Sequence, residues 1–279
     1  MSESFPLVMN FAATDPSGGA GLAADILTIS SMGCHPLIAV TAVTVQDTSG
    51  VDDVLAVDSE WVADQARAML EDVPVAAFKI GMLGSVENIA AIAEILADYP
   101  NIPVVLDPIL ASGRGDELAN EDMVDAICEL LIPQTTIITP NSIEARNLAL
   151  DEVNEEDDPS VEECAKRLLR MGCEYVLVTG THEHTQKVIN SLYAEQGMLR
   201  SDSWERLPGI YHGSGCTLSS AIAALLAQNI VMQQAVKEAQ EYTWQTLRSG
   251  FRPGMGQYIP DRLFWARGEE DEPQTARPN

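Results

Sequence analysis

A cysteine set between glycines and an apolar helix is the first group in the sequence that suggests chemistry. Cys216 lies in HGSGCTLS (212–219), and the helix that follows carries Leu218 and Leu225. Small residues at a helix start leave backbone N–H groups unpaired, and with the helix dipole these groups bind anions. The dipole also lowers the pKa of a thiol in the first turn. The segment therefore predicts an anion site with a reactive thiolate, and the alternative is a cysteine packed in the core.

Carboxylate and amide side chains follow two further apolar strands. In TPNSIEA (139–145), Asn141 stands at a helix N-cap position and Glu144 lies three residues later. Asp107 ends another strand, directly before Pro108. Mg²⁺ prefers oxygen ligands of this kind and keeps several of its waters. The alternatives are a capping box for Asn141 and Glu144 and a turn-initiating role for Asp107.

A third loop, ATDPSGGAG (13–21), follows the first strand and combines glycines with Asp15 and Ser17. Glycines allow a backbone to approach a ligand closely, and Asp15 could bind a hydroxyl or an amino group. The loop has neither the G-x-G-x-x-G nor the G-x-x-x-x-G-K-[ST] spacing, which argues against the common dinucleotide and P-loop sites. A structural role for a glycine-rich turn remains an equal alternative.

These loops must be positioned by a sheet, because short apolar runs alternate with segments of helical periodicity. Runs that are apolar on consecutive positions are typical of strands buried on both faces. The expected strands are Leu7–Ala12, Leu37–Val45, Ala76–Ile80, Val104–Asp107, Thr136–Thr139 and Tyr175–Thr179. The expected helices between them include Ser59–Glu71, Ser85–Asp98, Asn120–Leu131 and Ser160–Met171. This alternation predicts an α/β fold with a parallel sheet between two layers of helices.

The pattern changes after Gly180. Antiparallel strands are expected at Lys187–Tyr193 and Trp204–Leu207, followed by two long helices, Gly215–Gln228 and Met232–Ser249. We expect a single domain over residues 1–267 and a frayed tail over 268–279, which is charged and has no apolar face.

Composition narrows the possible partners. The chain has 42 acidic and 16 basic residues, a formal charge of −26, so its surface repels nucleic acid. The sequence has no apolar run long enough to span a membrane and begins without a basic leader, which predicts a cytoplasmic protein. Its five cysteines form no C-x-x-C pair, which argues against a disulfide framework or a zinc site.

Taken in order, the loops resemble those of the hydroxymethylpyrimidine/phosphomethylpyrimidine kinase family, within the ribokinase-like superfamily. The resemblance covers approximately residues 7–250. The matching segments are ATDPSGGAGLAAD, TAVTVQDTSGV, KIGMLGS, VVLDPILASGRGDEL, ITPNSIEA and HGSGCTLSSAIAALLA. It implies a three-layer α/β/α sandwich with a mostly parallel central sheet. It also implies ATP-dependent phosphorylation of 4-amino-5-hydroxymethyl-2-methylpyrimidine and of its monophosphate in thiamine synthesis, by a homodimer.

The resemblance also implies roles for individual residues. The pyrimidine pocket would be lined by Asp25, Gln46 and Met82, with Ala20 and Ile109 nearby. The anion hole and catalytic centre would be Gly213, Ser214, Gly215 and Cys216, with Cys216 where sugar kinases of the superfamily carry an aspartate base. The nucleotide and its Mg²⁺ would be held by Asp107, Asn141, Glu144 and Thr179, with Asp107 and Glu144 as the metal ligands.

The sequence departs from the family pattern in three places. Ala13 and Ser214 replace a common Gly and Thr, and Thr-Gly-Thr at 179–181 replaces Lys-Gly-Gly. Loss of that lysine predicts weaker phosphate binding, for which Arg114 could compensate. Three rival functions remain at this point: a pyridoxal kinase, a non-catalytic sensor of the pyrimidine phosphate, and, least favoured because the G-x-G-x-x-G motif is missing, a dehydrogenase.

Overall fold

The computed structural model describes residues 5–111, 115, 118–149, 159–183 and 185–267, and its centre is an eight-stranded sheet. The sheet has the strand order β10-β9-β8-β7-β6-β5-β1-β2. Six of its strands run parallel, and β9 and β10 complete one edge as an antiparallel pair. The strands are β1 (Leu7–Ala12), β2 (His35–Val40), β5 (Val75–Ile80), β6 (Val104–Leu106), β7 (Ile137–Ile138), β8 (Tyr175–Val178), β9 (Lys187–Ala194) and β10 (Gly197–Glu205).

Helices cover both faces of this sheet, as the sequence predicted. The helices are α1 (Gly21–Ser31), α2 (Ser59–Asp72), α3 (Val86–Asp98), α4 (Glu121–Ala126), α5 (Ser142–Leu148), α6 (Val161–Arg170), α7 (Ser214–Ala227) and α8 (Met232–Arg248). Apolar residues of α2 to α6 share one buried cluster, and those of α1, α7 and α8 share the other. Alternate residues of one strand reach different clusters, since Val104 and Leu106 join the first and Val105 the second. The three-layer α/β/α prediction is confirmed.

Side-chain caps begin several of the helices where the sequence predicted them. Ser85 accepts a hydrogen bond from the backbone of Asn88, and Ser160 accepts one from Glu163. Asn120 caps α4, which continues through a π-helical turn (Ile127–Leu131) rather than ending as a regular helix. These caps fix the helix starts, so each preceding loop leaves its strand at a defined point.

The expected strand Leu37–Val45 is wrong, because the chain turns at Thr41 and enters a second sheet. β2 ends at Val40, and β3 (Ala42–Gln46) pairs antiparallel with β4 (Val51–Ala56) in a separate two-stranded sheet. Thr41 joins the two sheets, since its N–H donates to Ala12 O (3.1 Å) and its hydroxyl to Met82 O (2.5 Å). The hairpin therefore projects over the carboxyl ends of β1 and β5.

One further predicted strand needs a correction, and the prediction for the C-terminal tail stays open. The expected strand Trp204–Leu207 is placed too late in the chain, since the strand, β10, begins at Gly197 and ends at Glu205. The tail expected at 268–279 lies outside the described residues. Within the described ranges, no helix combines the length and the apolar character needed to cross a membrane.

A large-to-small substitution tests whether the apolar residues buried against the sheet stabilise the fold. The ring of Phe78 on β5 is fully buried, with ring centroids of Phe11 and Tyr99 at 6.2 and 6.3 Å. We expect Phe78→Ala to lower the free energy of unfolding by about 3–5 kcal/mol in urea denaturation, because it leaves a cavity. Trp61→Ala on α2, where the side chain is 71% exposed, is the control and should change it by less than about 0.5 kcal/mol. Equal losses would contradict this assignment of the core.

Candidate active site

A cavity of about 600 Å³ lies beyond the carboxyl ends of the parallel strands, where ligands bind in open α/β sheets. Its wall is formed by the loops after β1, β5, β6, β7 and β8, by the hairpin strand β3 and by the start of α7. All but one of the site residues named from the sequence line it. These are Ala20, Gln46, Met82, Asp107, Ile109, Asn141, Glu144, Thr179, Gly213, Ser214, Gly215 and Cys216. The sequence thus located one continuous site.

The exception is Asp25, which was expected to line the pyrimidine pocket and does not line the cavity. Its side chain is completely buried below the cavity, where both carboxylate oxygens contact the ammonium of Lys79 at 2.9 and 3.0 Å. Ser220 of α7 donates a further hydrogen bond to Asp25 at 2.7 Å. A carboxylate held in this way supports the floor of the site and does not contact a ligand in the cavity.

Lys79 is the partner that sequence reasoning missed. Burial alone would lower the pKa of this ammonium, but the negative charge of Asp25 and its hydrogen bond, with a smaller contribution from Asp107, outweigh burial and raise the pKa above its ordinary value. A lysine in the middle of an apolar strand was the available signal, because a charge with no exposed surface needs a partner. Lys79 therefore carries a permanent positive charge directly beneath the catalytic loops.

The start of α7 has the geometry of an anion site. Gly213 is the N-cap residue and adopts a left-handed conformation, with φ of 84°. A Cβ at this position would collide with the carbonyl oxygen of Gly19, so only glycine allows the two loops to meet. The first turn contains no acidic residue, and Ser214, Gly215 and Cys216 line the cavity. The first-turn N–H groups can therefore bind a phosphate.

The thiolate expected at Cys216 is wrong for the ligand-free protein. The side chain is only 5% exposed, and burial raises the pKa of the thiol to about 12. Lys79 lowers this pKa, while the nearby carboxylates of Asp107 and Asp25 raise it further. The position at a helix start is as predicted, but desolvation outweighs the helix dipole, and the group is a protonated thiol at neutral pH.

Asp107 and Glu144 form a pair of partly desolvated carboxyl groups. Asp107 accepts a hydrogen bond from Ser219 at 3.1 Å, and burial raises its pKa to about 6 against the opposing effect of Lys79. Burial also raises the pKa of Glu144 to about 8, and the charge of Asp107 adds to this. Two neighbouring carboxyl groups that repel each other's charge are suited to a divalent cation.

The capping box considered from the sequence is also present. Asn141 Oδ1 accepts from the N–H groups of Ile143 and Glu144 at 2.9 and 3.0 Å, and Glu144 accepts from Asn141 N at 2.8 Å. The two interpretations are compatible, because the capping box and a further backbone hydrogen bond from Leu110 fix the position of a carboxylate that lines the cavity. No cluster of three or more His, Cys, Asp or Glu side chains occurs in the described ranges, so Mg²⁺ here would be held mainly by waters and phosphate oxygens.

At the other end of the cavity, Gln46 belongs to a chain of hydrogen bonds. His212 Nε2 lies 2.9 Å from the Asp15 carboxylate and 2.7 Å from the side-chain amide of Gln46. The amide atom at 2.7 Å is Gln46 Nε2. Since a carboxylate only accepts, a hydrogen on His212 Nε2 points toward Asp15, and we assign the Gln46 amide the flipped orientation, with its oxygen toward the histidine and its NH₂ group free to donate to a ligand. Met82 and Ala13 pack beside it in a small apolar cluster.

Asp15 anchors this chain of hydrogen bonds. Its carboxylate accepts from the N–H groups of Ser17 and Ala20 at 2.8 and 2.7 Å, in addition to His212. Burial raises the pKa of Asp15, but these hydrogen bonds outweigh burial and lower the pKa below its ordinary value. The ligand-binding role considered for Asp15 is thus replaced by an internal one. His212, which sequence reasoning did not use, stands one residue before the anion site.

The third part of the cavity is broad and aromatic. Thr179 and Thr181 line it beside Arg206, whose guanidinium donates to the carbonyl of Thr181 at 2.8 Å. Trp204 and Trp244 form the far wall, with ring centroids 6.2 Å apart. Arg114, considered as a substitute for the missing lysine, lies outside the described residues. Arg206 was missed, and it brings a positive charge to this end of the cavity.

Comparison with known sequences gives the same family along the whole site. The sequence model described as phosphomethylpyrimidine kinase matches residues 15–261. The chain is 38% identical over 262 residues to the hydroxymethylpyrimidine/phosphomethylpyrimidine kinase of Mycobacterium bovis, covering 93% of this chain and 94% of that one. It is 36% identical over 264 residues to the thiamine biosynthesis bifunctional protein ThiED of Geobacter sulfurreducens, covering 95% of this chain but 54% of that longer protein.

Solved structures show the same fold. An ADP complex of Bacillus subtilis pyridoxal kinase superposes with a TM-score of 0.85 at 26% identity, covering 95% of this chain and all of that one. Phosphomethylpyrimidine kinase from Clostridium difficile superposes with a TM-score of 0.73 at 31% identity, covering 87% and 99% of the two chains. The chain therefore belongs to the hydroxymethylpyrimidine/phosphomethylpyrimidine kinase family, whose members are phosphotransferases with the ribokinase-like fold.

Proposed function

We propose that this protein uses ATP to phosphorylate 4-amino-5-hydroxymethyl-2-methylpyrimidine and then the resulting monophosphate, for thiamine synthesis. The observation that carries the proposal is the presence, in the wall of one cavity, of the side-chain amide of Gln46 and of the helix N-terminus at 213–216. The Gln46 amide suits the acceptor edge of an aminopyrimidine, and the helix N-terminus suits a phosphate. The aromatic end beside Arg206 suits the nucleotide base.

Positioning and charge stabilisation are the main tasks in phosphoryl transfer. The residues at the start of α7 line the cavity, and their backbone N–H groups could stabilise negative charge that develops on the transferred group. Cys216 lies in the same turn, and we assign to its thiolate, the minor form at neutral pH, the acceptance of the proton from the attacking hydroxyl, which returns the group to the thiol. The ammonium of Lys79 favours the negative thiolate during that step.

Mg²⁺ is part of the proposal. Asp107 and Glu144 would hold it together with phosphate oxygens and water, and Asn141 keeps Glu144 in place through the capping box. The cation would neutralise charge on the phosphates while bound. Its presence would also remove the repulsion that raises the pKa of Glu144 beside Asp107.

The deciding experiment measures ADP release by the purified protein with Mg-ATP and one acceptor at a time. The pyrimidine alcohol and its monophosphate should both stimulate ADP release. No stimulation by either acceptor at any Mg²⁺ concentration would overturn the proposal. A product formed from the alcohol but not from the monophosphate would restrict the enzyme to the first step.

Pyridoxal kinase activity is the second candidate, because the Bacillus subtilis pyridoxal kinase superposes with the higher TM-score of the two structures compared above. Pyridoxal also carries a hydroxymethyl group on a nitrogen heterocycle. Sequence identity favours the pyrimidine, at 31% for the Clostridium difficile kinase against 26% for the pyridoxal kinase. Comparing kcat/KM for the two acceptors in the same assay distinguishes these candidates.

Substitution of Gln46 tests the recognition of the pyrimidine. Gln46→Leu keeps the approximate volume but removes the NH₂ donor, so the polar edge of the pyrimidine is left unpaired. We expect the pyrimidine KM to rise by a factor that corresponds to ~1–3 kcal/mol, while the ATP KM changes little. Steady-state kinetics with each substrate varied in turn provides the internal control. An unchanged pyrimidine KM would show that Gln46 does not bind the pyrimidine.

Substitution of Cys216 tests proton transfer. Cys216→Ala should lower kcat by ~10²–10⁴-fold with little change in either KM, because the backbone N–H groups and the pyrimidine pocket remain. Cys216→Asp should recover part of the activity. Since burial raises the thiol pKa to about 12, the thiolate fraction grows with pH, and wild-type kcat/KM should rise between about pH 7 and 9 more steeply than that of Cys216→Ala, which keeps only the ionisation of Glu144, whose pKa is about 8. A near-normal kcat for Cys216→Ala would show that Cys216 has only a packing role.

We further propose a homodimer formed through the outer face of the β3–β4 hairpin. Val43, Val45 and Leu55 point away from the cavity and are 46, 59 and 71% exposed, and Val43 is opposite Leu55 in the register. A two-fold axis would bring this apolar face onto its own copy, burying it in a self-complementary contact. The five free cysteines support a reducing, cytoplasmic location.

Light scattering after size exclusion tests the dimer. We expect the wild type at a mass near twice 30.1 kDa, and we expect Val45→Asp to shift it toward the monomer because a carboxylate would be buried at the contact. Trp61→Ala, exposed on α2, is the matched control and should leave the mass unchanged. A monomeric wild type at high salt, where repulsion between acidic chains is screened, would exclude the dimer.

A further inference from the structure

A single buried arginine from the C-terminal segment (residues 250–262) joins the two glycine loops of the cavity. Arg262 is 2% exposed, and its Nη2 donates to the carbonyl oxygens of Gly19 at 2.5 Å and Gly213 at 3.3 Å. Its Nε donates to the hydroxyl of Thr217 at 3.0 Å. One planar guanidinium therefore bonds both the loop after β1 and the first turn of α7.

We propose that Arg262 is a positioning residue for phosphoryl transfer. It sets the position of the loop that supports pyrimidine recognition relative to the helix start that holds the phosphate. The inference rests on the proposed kinase function, and it adds a residue that lies outside the motifs shared with the family.

The link from Arg262 to the pyrimidine end runs through one peptide group. The carbonyl of Gly19 accepts from Arg262, and the N–H of the same peptide, on Ala20, donates to Asp15 at 2.7 Å. In a trans peptide these two groups point in opposite directions, so holding the carbonyl also aims the N–H. Asp15 in turn orients His212, which faces Gln46. Release of the carbonyl would loosen the support of the Gln46 amide.

The link to the phosphate end is shorter. Gly213 is the N-cap residue of α7, and its carbonyl also accepts from the N–H of Thr217 at 3.0 Å. Arg262 bonds both this carbonyl and the Thr217 hydroxyl, so it supports the first turn from below. An arginine stays protonated at neutral pH, and its charge lies behind the anion site. With Lys79, it provides buried positive charge beside the cavity of a strongly acidic chain.

The rest of the C-terminal segment contacts the same two regions. Gln257 N donates to the carbonyl of Thr48, in the hairpin turn next to Gln46, at 2.7 Å. Tyr258 accepts from the N–H of His212 at 2.8 Å. Arg262 is thus the buried end of a segment that crosses from the hairpin to the glycine loops, and its own backbone is held by the hydroxyl of Tyr242 at 2.8 Å.

Kinetics of Arg262→Gln and Arg262→Lys test the inference. A misplacement of about 1 Å between reacting groups can cost ~10²-fold, so Arg262→Gln should lower kcat by ~10–100-fold, with each KM changed far less. Arg262→Lys keeps the charge but not the fork of donors and should lie between Arg262→Gln and the wild type. The matched control is Arg267→Gln, whose guanidinium is exposed and pairs with Asp261 in the same part of the chain. It should keep the wild-type kcat.

A thermal melt of each variant separates positioning from folding. If Arg262 only supported the fold, Arg262→Gln would melt at a lower temperature but keep a wild-type kcat well below that temperature. Such a result would overturn the inference. Equal losses of kcat in Arg262→Gln and Arg267→Gln would also overturn it, because the effect would then belong to the segment and not to the buried guanidinium.

Hydrogen exchange provides a readout that does not depend on the reaction. In Arg262→Gln, the amides of 18–21 and of 213–217 should exchange faster than in the wild type, whereas Arg267→Gln should leave both segments unchanged. Unchanged exchange at either segment in Arg262→Gln would overturn the inference. If the wild type released no ADP with any acceptor, the proposed function would fail, and this comparison alone would decide the role of Arg262.

Discussion

The ion pair between Lys79 and Asp25 is the interaction on which the site depends. Both side chains are fully removed from water, and a charge buried without its partner would cost several kcal/mol. The pair joins β5 to α1, and the Ser220 hydroxyl extends it to α7. These are the elements whose ends form the cavity. Any movement of one relative to another would separate buried charges, so the electrostatics below the site also keep its geometry.

The same ammonium explains why further acidic groups are tolerated there. Asp107 and Cys216 both approach Lys79, and each has its pKa raised by burial and lowered by this positive charge. Without Lys79 the carboxyl group of Asp107 would bind a proton more tightly. The protonation states of Asp107 and Cys216 therefore depend on two opposing effects. Desolvation favours the neutral groups, and the positive charge of Lys79 favours the anions. A phosphate entering the cavity meets Lys79 and Arg262 below its surface, although the chain as a whole is strongly acidic.

The sequence predicted the main sheet well because its parallel strands are buried on both faces and read as continuous apolar runs. It failed at the hairpin for a physical reason. Val51–Ala56 carries Asp52 and Asp53 and pairs only with β3, so it lacks the apolar run that marks the other strands. The break at Thr41 depends on hydrogen bonds to Ala12 and Met82, which are distant in sequence.

Most of the cavity wall was also predictable, because parallel strands bring their carboxyl ends to one edge and the loops there carry glycines, carboxylates and amides. What remained hidden is the degree of burial. Asp25 was expected in the pocket, and Cys216 was expected as a thiolate, and both differ because neighbouring elements exclude water from them. His212 and Arg262 each contact at least one partner more than 160 residues away, a relation that local patterns do not contain.

The contact between Gly19 and Arg262 has a consequence for the folding of the chain during its synthesis. Their separation of 243 residues means that the glycine loop leaves the ribosome long before the arginine that holds it. All the strands of the sheet precede residue 250, so they leave the ribosome before the segment that ends in Arg262. The connection between the two glycine loops through Arg262 can therefore form only after residue 262 has emerged. A chain that stalls or is truncated before this arginine would lack that connection.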